Sequence, residues 1–502
     1  MHIKVSEAIT DKCAKLEYRF SEDSEIWDTI TRAESNAADR IMNGYENIMY
    51  VVRIIIEVVS VLTIIIVAVW WVGLSILGIC IPLFYFASWL GKKQYGQERT
   101  TAEQERRASY FIDLLNNREL AEERTLFGYT DHINKRWHGE YIETQRIRFR
   151  VRRRSYIGVK SSTAVLLFIS VAVIGILLYP LQSGALTVGL FCALVTSLIN
   201  LVKSLGWQAS WSITEISTIR EYLKDLSALF GLSEKEDALS KRANLADYKY
   251  EKLEFRNLSF AYPGTERKVL ENFNFTMRSG LTYAIVGVNG AGKTSLVKIL
   301  CGMFDNYEGE IYINDKELRT YSSEFIKGFF GIVFQDFARY SIPLKDNITF
   351  GCTDKPDDSA IWEILDSLDM GEWARALPEG LDTPLGKILE NSTELSGGQW
   401  QRITLARCLL ATACVRILDE PTAALDPIAE SKLYALFSAI TKGFSSILIT
   451  HRLGAAKLAD EILVLEGGCV QEHGTHDELM AKNGLYSQMY ESQKEWYDET
   501  KK

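Results

Sequence analysis

The chain has 502 residues, which is enough for two or three domains, and 47% of them are hydrophobic. Together with a mean hydropathy of -0.03, this content is high for a soluble protein and indicates that part of the chain lies in a bilayer. A net charge of -9 and a pI near 5.5 exclude a strongly basic surface and argue against nucleic acid as a main partner. The eight cysteines include no C-x-x-C pair, which argues against a disulfide framework or a zinc site.

Residues 1–232 contain two long apolar stretches, and no cleavable signal peptide is visible before them. The first runs from Ile48 to Leu90, about twice the roughly 20 residues that one helix needs to cross the hydrocarbon core. We place the break between two spans at Trp70 to Gly73, because tryptophans favour the membrane interface and glycine lets the chain turn. A second pair of apolar segments follows residue 157, and a soluble core explains two such pairs poorly. We therefore predict four spans, at about 48–70, 73–90, 157–180 and 184–207.

The positive charge between the two pairs predicts their orientation. Both hairpin tips lack cations, whereas residues 92–154 carry many lysines and arginines, so this middle segment is expected to be cytoplasmic. It should form helical extensions that turn near Asn116 and Asn117. Arg53 and Glu57, four residues apart on one helix face, leave two interpretations open. They either face a partner or a water-filled path inside the bilayer, or they belong to a cytosolic extension with the membrane beginning near Val58.

Beyond the membrane region the composition changes. Residues 233–249 are polar and aperiodic, as in a linker. From 250 to 493, short apolar strands alternate with helical stretches, which predicts an α/β domain with a largely parallel sheet. Residues 494–502 form a polar tail. The predicted fold is thus an α-helical transmembrane domain followed by an α/β domain.

A glycine-rich loop is the strongest local motif. It follows the apolar strand Tyr283 to Val286, precedes the helical stretch that begins at Ser295, and matches the P-loop pattern in the expected strand and helix context. Its backbone N–H groups would surround phosphates, Lys293 would neutralise phosphate oxygens, and Thr294 would offer a hydroxyl to magnesium. The predicted phosphate-binding residues are Gly287, Asn289, Gly290, Ala291, Gly292, Lys293, Thr294 and Ser295.

An acid pair, Asp419 and Glu420, ends the apolar strand that begins at Val415. An ATPase needs one carboxylate for magnesium and another that orients or deprotonates the attacking water. We assign Asp419 to the metal and Glu420 to the water. Arg416 is unusual here, because a strand covered on both faces is expected to be continuously apolar.

A third motif joins a serine and two glycines to the start of a helix, WQRITLARCLLA. This helix tip could be an ordinary N-cap or a second anion-binding site without a metal ligand. Its residues are Ser396, Gly397, Gly398 and Gln399.

These three motifs, in this order, resemble the nucleotide-binding domain of ATP-binding cassette (ABC) transporters over residues 250–493. The resemblance implies that Tyr262 in FAYPG stacks on adenine and that Gln335 in VFQDF senses magnesium and the membrane domain. It also implies that Asp426 in AALDP is the D-loop aspartate and that His451 in ITHRLG contacts the γ-phosphate. In this family two such domains meet head to tail, so the serine–glycine motif of one chain would complete the site of the other.

The exporter branch is the most similar, since the membrane domain precedes the nucleotide domain and the ending VQEHGTHDELMAKNGLYSQMYESQ is typical of it. The segment EYRFSEDSEIWD resembles a cytoplasmic coupling turn, as does LLNNRELAEERTLFGY. VFQDFARY is similar to bacterial peptide and lantibiotic exporters. Such exporters have six spans per chain, so the first two are expected to be missing, either because the reading frame is shortened or because another polypeptide supplies them.

We therefore expect an ATPase that drives export across the cell membrane as a multi-pass homodimer or heterodimer, with its nucleotide domain in the cytoplasm. ATP and Mg²⁺ are the expected cofactors. The substrate is open, with a peptide or an amphipathic small molecule as the classes considered. The alternative is an ATP-binding subunit or regulator that transports nothing, since two spans are missing; a soluble ATP-binding module conflicts with the two hairpins.

Overall fold

The structure is a computed structural model that describes residues 2–68, 70, 108–117, 120–184, 186–203, 209–235, 237–387, 391–420 and 443–499. The chain divides into two compact units. Unit 1 comprises Met1–Thr10 and Asp28–Gly231, and unit 2 comprises Asp11–Trp27 and Leu232–Lys502. The predicted order, a helical region followed by an α/β domain, is confirmed.

The N-terminal part of the chain is mostly helical in its described residues. Residues 108–116 are helical as well, and residue 117 lies outside that helix. The named helices are α1 (His2–Lys15), α2 (Ser24–Glu34), α3 (Ala37–Ala68), α4 (Ala121–Phe127), α5 (Thr130–Gln182), α6 (Val188–Lys203) and α7 (Ala209–Gly231).

Among the described residues, Ala37–Ile64 is long and apolar enough to cross a membrane, and Ser170–Gln182 and Val188–Asn200 are shorter apolar helices. The expected span at 73–90 lies outside the described residues, so the number of spans stays a prediction. The guanidinium of Arg53 lies over the Tyr50 ring, 4.6 Å from its centroid, which gives this cation an aromatic partner on its own helix.

Apolar and close backbone contacts hold unit 1 together. Gly44 on α3 lies against Ile219 on α7, where an added Cβ would be 2.7 Å from the nearest side-chain atom. The buried Tyr222 hydroxyl donates to the carbonyl of Ala33 at 2.8 Å. A small apolar core joins α3, α5 and α6 through Val61, Val173, Leu177, Leu186, Leu194 and Leu198.

Unit 2 contains two sheets. An antiparallel sheet has the order β2-β1-β4-β5, and a six-stranded sheet has the order β10-β9-β3-β8-β7-β6. In the larger sheet the pairs from β9 through β6 are parallel and β10 alone among its strands is antiparallel, which confirms the predicted largely parallel sheet. The strands are β1 (Lys252–Ala261), β2 (Lys268–Arg278), β3 (Thr282–Gly287), β4 (Glu308–Ile313), β5 (Lys316–Glu317), β6 (Phe330–Val333), β7 (Val415–Asp419), β8 (Ser445–Ile449), β9 (Glu461–Glu466) and β10 (Cys469–Gly474).

Helices cover this sheet, and the central strands β7 and β8 are buried at every position, as a parallel sheet between helices requires. One core lies between the two sheets, and a second joins the helices after β6 to the helix that precedes β7. The helices are α8 (Lys293–Leu300), α9 (Ser323–Phe329), α10 (Leu344–Thr349), α11 (Asp358–Ser367), α12 (Gly371–Arg375), α13 (Gly397–Leu410), α14 (Leu453–Ala456), α15 (His476–Ala481) and α16 (Leu485–Glu499).

The polar segment after α7 lacks regular structure but is held by hydrogen bonds within unit 2. Asp237 accepts from the backbone N–H and the hydroxyl of Ser323 at 2.5 and 2.7 Å. Lys327 donates to the carbonyls of Ala238 and Ser240. These contacts hold the segment against α9, although the hydroxyl oxygen of Ser240 is buried without a hydrogen-bond partner among the described residues.

Candidate functional site

The P-loop connects β3 to α8 in the predicted strand–loop–helix arrangement. At two positions of this loop only glycine fits, because a side chain would clash with neighbouring atoms. A Cβ on Gly287 would lie 2.3 Å from the carbonyl oxygen of Leu465, and one on Gly292 would lie 2.6 Å from the side chain of Leu270. Gly292 also has a φ of +99°, which side-chain-bearing residues rarely adopt. The loop thus packs so closely on its neighbours that neither position has room for a side chain.

Lys293 is the first residue of α8 and is 5% exposed. Its ammonium group donates to the carbonyl oxygens of Gly287 at 2.9 Å and Val288 at 3.2 Å, so the side chain curls back over its own loop. Burial lowers the pKa of Lys293, while the carboxylates of Glu420 and Asp419 oppose that shift. An anion beside this group would stabilise its charged form.

Asp419 ends β7 and is 1% exposed. Burial, as the largest cause, raises the pKa of Asp419 to about 6; a hydrogen bond with Thr294 opposes the shift and the charge of Glu420 adds to it. Its Oδ1 atom has no hydrogen-bond partner among the described residues. A buried carboxylate oxygen of this kind favours a cation nearby.

The chemistry of these donors fits magnesium. Thr294 supplies a hydroxyl beside the Asp419 carboxyl, and Gln335 lines the same cleft. In the part of the chain that the structure describes, no group of three or more His, Cys, Asp or Glu side chains could hold a metal ion. Mg²⁺ is commonly held by one or two protein carboxylates together with phosphate oxygens and water, so a sparse site is what this ion requires.

Glu420 follows Asp419 in an unusual conformation. Its φ is +49°, in the left-handed region that costs a non-glycine residue on the order of 1–3 kcal/mol. Its backbone N–H donates to the carbonyl of Ile449 at 3.0 Å, which fixes the turn to the end of β8. The carboxylate contacts Nε2 of His451. The residues predicted to handle water and the γ-phosphate are therefore direct neighbours.

A cleft of about 790 Å³ collects most of the predicted residues. At one end, the Tyr262 hydroxyl and the Ser295 hydroxyl share a hydrogen bond of 2.9 Å. The predicted residues that line it are Tyr262, Asn289, Gly290, Ala291, Gly292, Lys293, Thr294, Ser295, Gln335, Glu420 and His451. Gly287 and Asp419 lie behind that surface.

Sequence analysis missed six residues that line the cleft: Thr265, Arg267, Lys268, Val269, Gly467 and Gly468. The basic pair Arg267 and Lys268, five and six residues after Tyr262, was a usable signal for an anionic ligand. Gly468 gave no such signal, because glycine is needed there for a contact with a distant part of the chain. A Cβ at this position would lie 2.7 Å from the carbonyl oxygen of Val269.

The serine–glycine motif is not among the residues that line this cleft. It forms the N-terminus of α13, where the Ser396 hydroxyl accepts from Gln399 N–H and the Gln399 side chain accepts from Ser396 N–H. This capping box leaves the N–H groups of Gly397 and Gly398 at the helix tip. Asp426 lies outside the described residues.

Arg416 is buried in β7 and its guanidinium stacks on Phe444 at 4.2 Å from the ring centroid. Its partners in register on the neighbouring strands are Gly331 and Ser446, both small. Side chains of residues paired in this way share a sheet face, so small neighbours leave room for the long arginine. This explains how a charged residue fits a strand that is otherwise apolar.

One N-terminal segment packs within unit 2 beside the cleft. Tyr18 in a short 3-10 helix (Tyr18–Ser21) contacts Phe304 edge to face, and Phe304 contacts Tyr262 in the same way, both with centroids 5.5 Å apart. Lys298 donates to Glu22 at 2.8 Å. The segment that resembles a coupling turn is thus two ring contacts away from the predicted adenine-stacking residue.

A P-loop, a buried acid pair and a histidine around one cleft define an ATP-hydrolysing P-loop protein. The family model for ABC transporters matches residues 270–423. The chain is 30% identical to the subtilin transport ATP-binding protein of Bacillus subtilis, over 98% of this chain and 80% of that protein. It is 29% identical to the nisin transport ATP-binding protein of Lactococcus lactis, over 84% of this chain and 71% of that protein.

The chain is also 32% identical to the ATP-dependent lipid A-core flippase of Bordetella avium, over 64% of this chain and 54% of that protein, so it spans about half the length of this relative. The fold is similar to that of a bacterial Atm1-family ABC exporter with ATP bound, with a TM-score of 0.78, 22% identity, and coverage of 98% of this chain and 85% of that one.

The chain belongs to the ABC transporter family, with an exporter-type arrangement of a helical N-terminal region fused to an ATP-binding domain. It is a membrane-associated ATPase of an ATP-driven exporter, and this reading is supported over that of a non-transporting subunit.

Proposed function

We propose that this chain binds MgATP in the cleft beside the P-loop and that hydrolysis there drives export across the cell membrane. The single observation that carries the proposal is the convergence of Lys293, Glu420 and His451 on one cleft. Among the described residues this is where an ammonium, a carboxylate and an imidazole surround a glycine-rich helix tip.

The roles follow from position. Lys293 exchanges its two loop carbonyls for phosphate oxygens, which are stronger acceptors because they are charged. Tyr262 stacks on the adenine at the far end of the cleft, where its ring is held by Phe304 and its hydroxyl by Ser295. The P-loop N–H groups and the tip of α8 stabilise the negative charge between these two ends.

Magnesium would be held by Thr294, Asp419 and Gln335, and it supplies charge neutralisation on the phosphate oxygens. Glu420 orients the attacking water and accepts its proton. His451 lies against Glu420 and contacts the γ-phosphate side of the site. The left-handed backbone of Glu420 directs its carboxylate at this place, so the strain has a function.

Two copies complete two sites. The tip of α13, Ser396 to Gln399, does not line its own cleft and would supply two glycine N–H groups and the positive end of a helix to the partner's nucleotide. Asp426 belongs to the same contact. Because one chain carries all the required residue types, a homodimer would hold two competent sites; a heterodimer with a second half transporter is the other arrangement.

We infer that the chain is a multi-pass protein with residues 250–493 in the cytoplasm and spans at about 48–70, 73–90, 157–180 and 184–207. The substrate is a peptide: the relatives named for subtilin and nisin transport match 98% and 84% of this chain, whereas lipid A-core flippases match 63–71% of it. Lipid export is the other class that the relatives suggest.

The test uses the full chain in proteoliposomes. Wild-type protein is expected to hydrolyse ATP with magnesium and to be stimulated by a lantibiotic precursor peptide. Glu420→Gln keeps the shape and the hydrogen-bonding capacity of Glu420 but cannot accept the proton, so we expect ATP binding to persist and turnover to fall about 100-fold or more. Turnover of Glu420→Gln at the wild-type rate would remove Glu420 from the base role. Stimulation by lipid A and not by peptide would overturn the substrate class alone.

A further inference from the structure

The loop that carries His451 is held by hydrogen bonds from Gln493, a residue that does not line the cleft. His451 lies in the turn between β8 and α14, and its side chain contacts Glu420. On the opposite side of the turn, the side-chain amide of Gln493 donates to the carbonyl oxygen of His451 at 2.5 Å and accepts from the N–H of Leu453 at 3.0 Å. The side-chain amide of Gln493 thus bonds the backbone of the residues before and after Arg452.

The chemistry of this contact allows one orientation of the amide. A carbonyl oxygen needs a donor and a backbone N–H needs an acceptor, so the NH₂ group must face His451 and the oxygen must face Leu453. Leu453 is the first residue of α14, where backbone N–H groups lack partners within the helix. Gln493 therefore caps α14 from another helix while it holds the His451 carbonyl.

The helix that carries Gln493 is itself firmly seated. Tyr486, at 0% exposure, anchors α16 in a core with Leu453 and Leu479, and its hydroxyl bonds Nδ1 of His476 at 2.9 Å. Met489 and Tyr490 pack against the same core. Residues 486, 489, 490 and 493 follow the i, i+3, i+4, i+7 spacing of one helix face, so the core that holds Tyr486 also sets the position of Gln493.

We propose that Gln493 is a positioning residue for His451: by bridging the backbone of residues 451 and 453, it fixes the direction of the imidazole relative to Glu420 and the γ-phosphate side of the cleft. The inference rests on the role of His451 proposed above. Gln493 is not among the residues that line the cleft, so its loss should change the rate of turnover and leave the capture of ATP by the P-loop intact.

The test compares four single variants and one double variant of the full chain in lipid nanodiscs. Gln493→Ala removes both hydrogen bonds, and Gln493→Met removes them while it keeps the length of the side chain. Gln488→Ala is the matched control, because Gln488 lies on the same helix with an exposed side chain. His451→Ala reports the role of the histidine itself. For each, kcat and KM for MgATP and the melting temperature are measured.

Two lost hydrogen bonds at a catalytic loop predict a kcat that is lower by about five- to tenfold in both Gln493 variants. The KM for ATP should stay within about twofold, and Gln488→Ala should match the wild type. In a His451→Ala background, Gln493→Ala should have no further effect, because a residue that acts through His451 cannot act without it.

Wild-type kcat in both Gln493 variants, or equal effects of Gln493→Ala with and without His451, would overturn the inference. A KM for MgATP that rises together with the fall in kcat in both Gln493 variants would show damage to the whole site and not loss of His451 positioning, which also overturns it. A His451→Ala protein that turns over at the wild-type rate would instead remove the proposed role of His451 on which the inference depends.

Discussion

The contact between the N-terminal segment and the nucleotide-binding region gives a prediction whose size follows from the structure. Glu22 accepts hydrogen bonds from Lys298 at 2.8 Å and from the Tyr18 hydroxyl at 2.9 Å. The hydrogen bond from Lys298 lowers the pKa of Glu22, so this carboxylate is ionised at neutral pH. The perturbation is Glu22→Ala, with Glu22→Gln as the variant that removes charge and keeps an oxygen acceptor.

The side chains of Lys298 and Glu22 are 21% and 33% exposed, so the ion pair is partly screened by water. Pairs of this kind contribute about 0.2–1 kcal/mol. Glu22→Ala also removes both hydrogen bonds, and we expect a loss of about 1–1.5 kcal/mol in the docking free energy of the segment. This corresponds to roughly a tenfold rise in the population in which residues 16–27 are open. Glu22→Gln should give about a twofold rise.

Hydrogen exchange of the full chain in nanodiscs measures this population in peptides that cover residues 16–27. Glu7→Ala is the control, because it removes the same charge from an exposed site in α1. The difference between Glu22→Gln and the wild type should also vanish at about 1 M salt, where the Debye length falls to about 3 Å.

Unchanged exchange in Glu22→Ala would show that Glu22 does not hold the segment. Equal acceleration in Glu7→Ala would show that net charge, and not the contact with Lys298, controls the opening. An effect of Glu22→Gln as large as that of Glu22→Ala, at all salt concentrations, would show that hydrogen bonds to an amide oxygen at residue 22 do not hold the segment.

Three further predictions concern the cleft. Lys293→Ala should weaken ATP binding by at least about tenfold, measured with a fluorescent nucleotide, since charge-assisted hydrogen bonds contribute about 1.5–3 kcal/mol. Gly292→Ala should lower both the melting temperature and ATP binding, because its Cβ would meet Leu270 and its φ is +99°; Gly139→Ala, in a helix with open space, should lower neither. Chelation with EDTA should stop hydrolysis and added Mg²⁺ restore it, whereas Asp419→Asn should respond to neither if Asp419 holds the metal.

Much of the cleft could be predicted from the sequence because each of its motifs is a continuous segment of the chain. A P-loop is continuous in the chain, and the acid pair directly follows an apolar strand, so each motif predicts its own geometry. Lys293, Thr294, Glu420 and His451 meet at the carboxyl ends of β3, β7 and β8, neighbouring strands of one parallel sheet. The order of the strands was the step between motif and site that the sequence did not predict, and the structure shows it.

Contacts between residues far apart in the chain could not be predicted in this way. Glu22 and Lys298 are 276 residues apart, and the bond from Gln493 to His451 spans 42 residues. Neither glutamate nor glutamine stands out in a polar segment, because surface helices and turns are rich in both. Arg416 shows the opposite case, where the sequence revealed an anomaly and the explanation, small neighbours at Gly331 and Ser446, needed the strand register.

The electrostatics of the cleft suggest why it would select a magnesium nucleotide over a free anion. The two acids, Asp419 and Glu420, lie close to Lys293, and burial raises the pKa of Asp419 to about 6 while it lowers that of Lys293. A phosphate alone would stabilise the ammonium but repel both carboxylates, whereas a phosphate with a divalent cation favours the charged form of all three groups. We therefore expect the buried carboxylate of Asp419 to make phosphate binding depend on the metal.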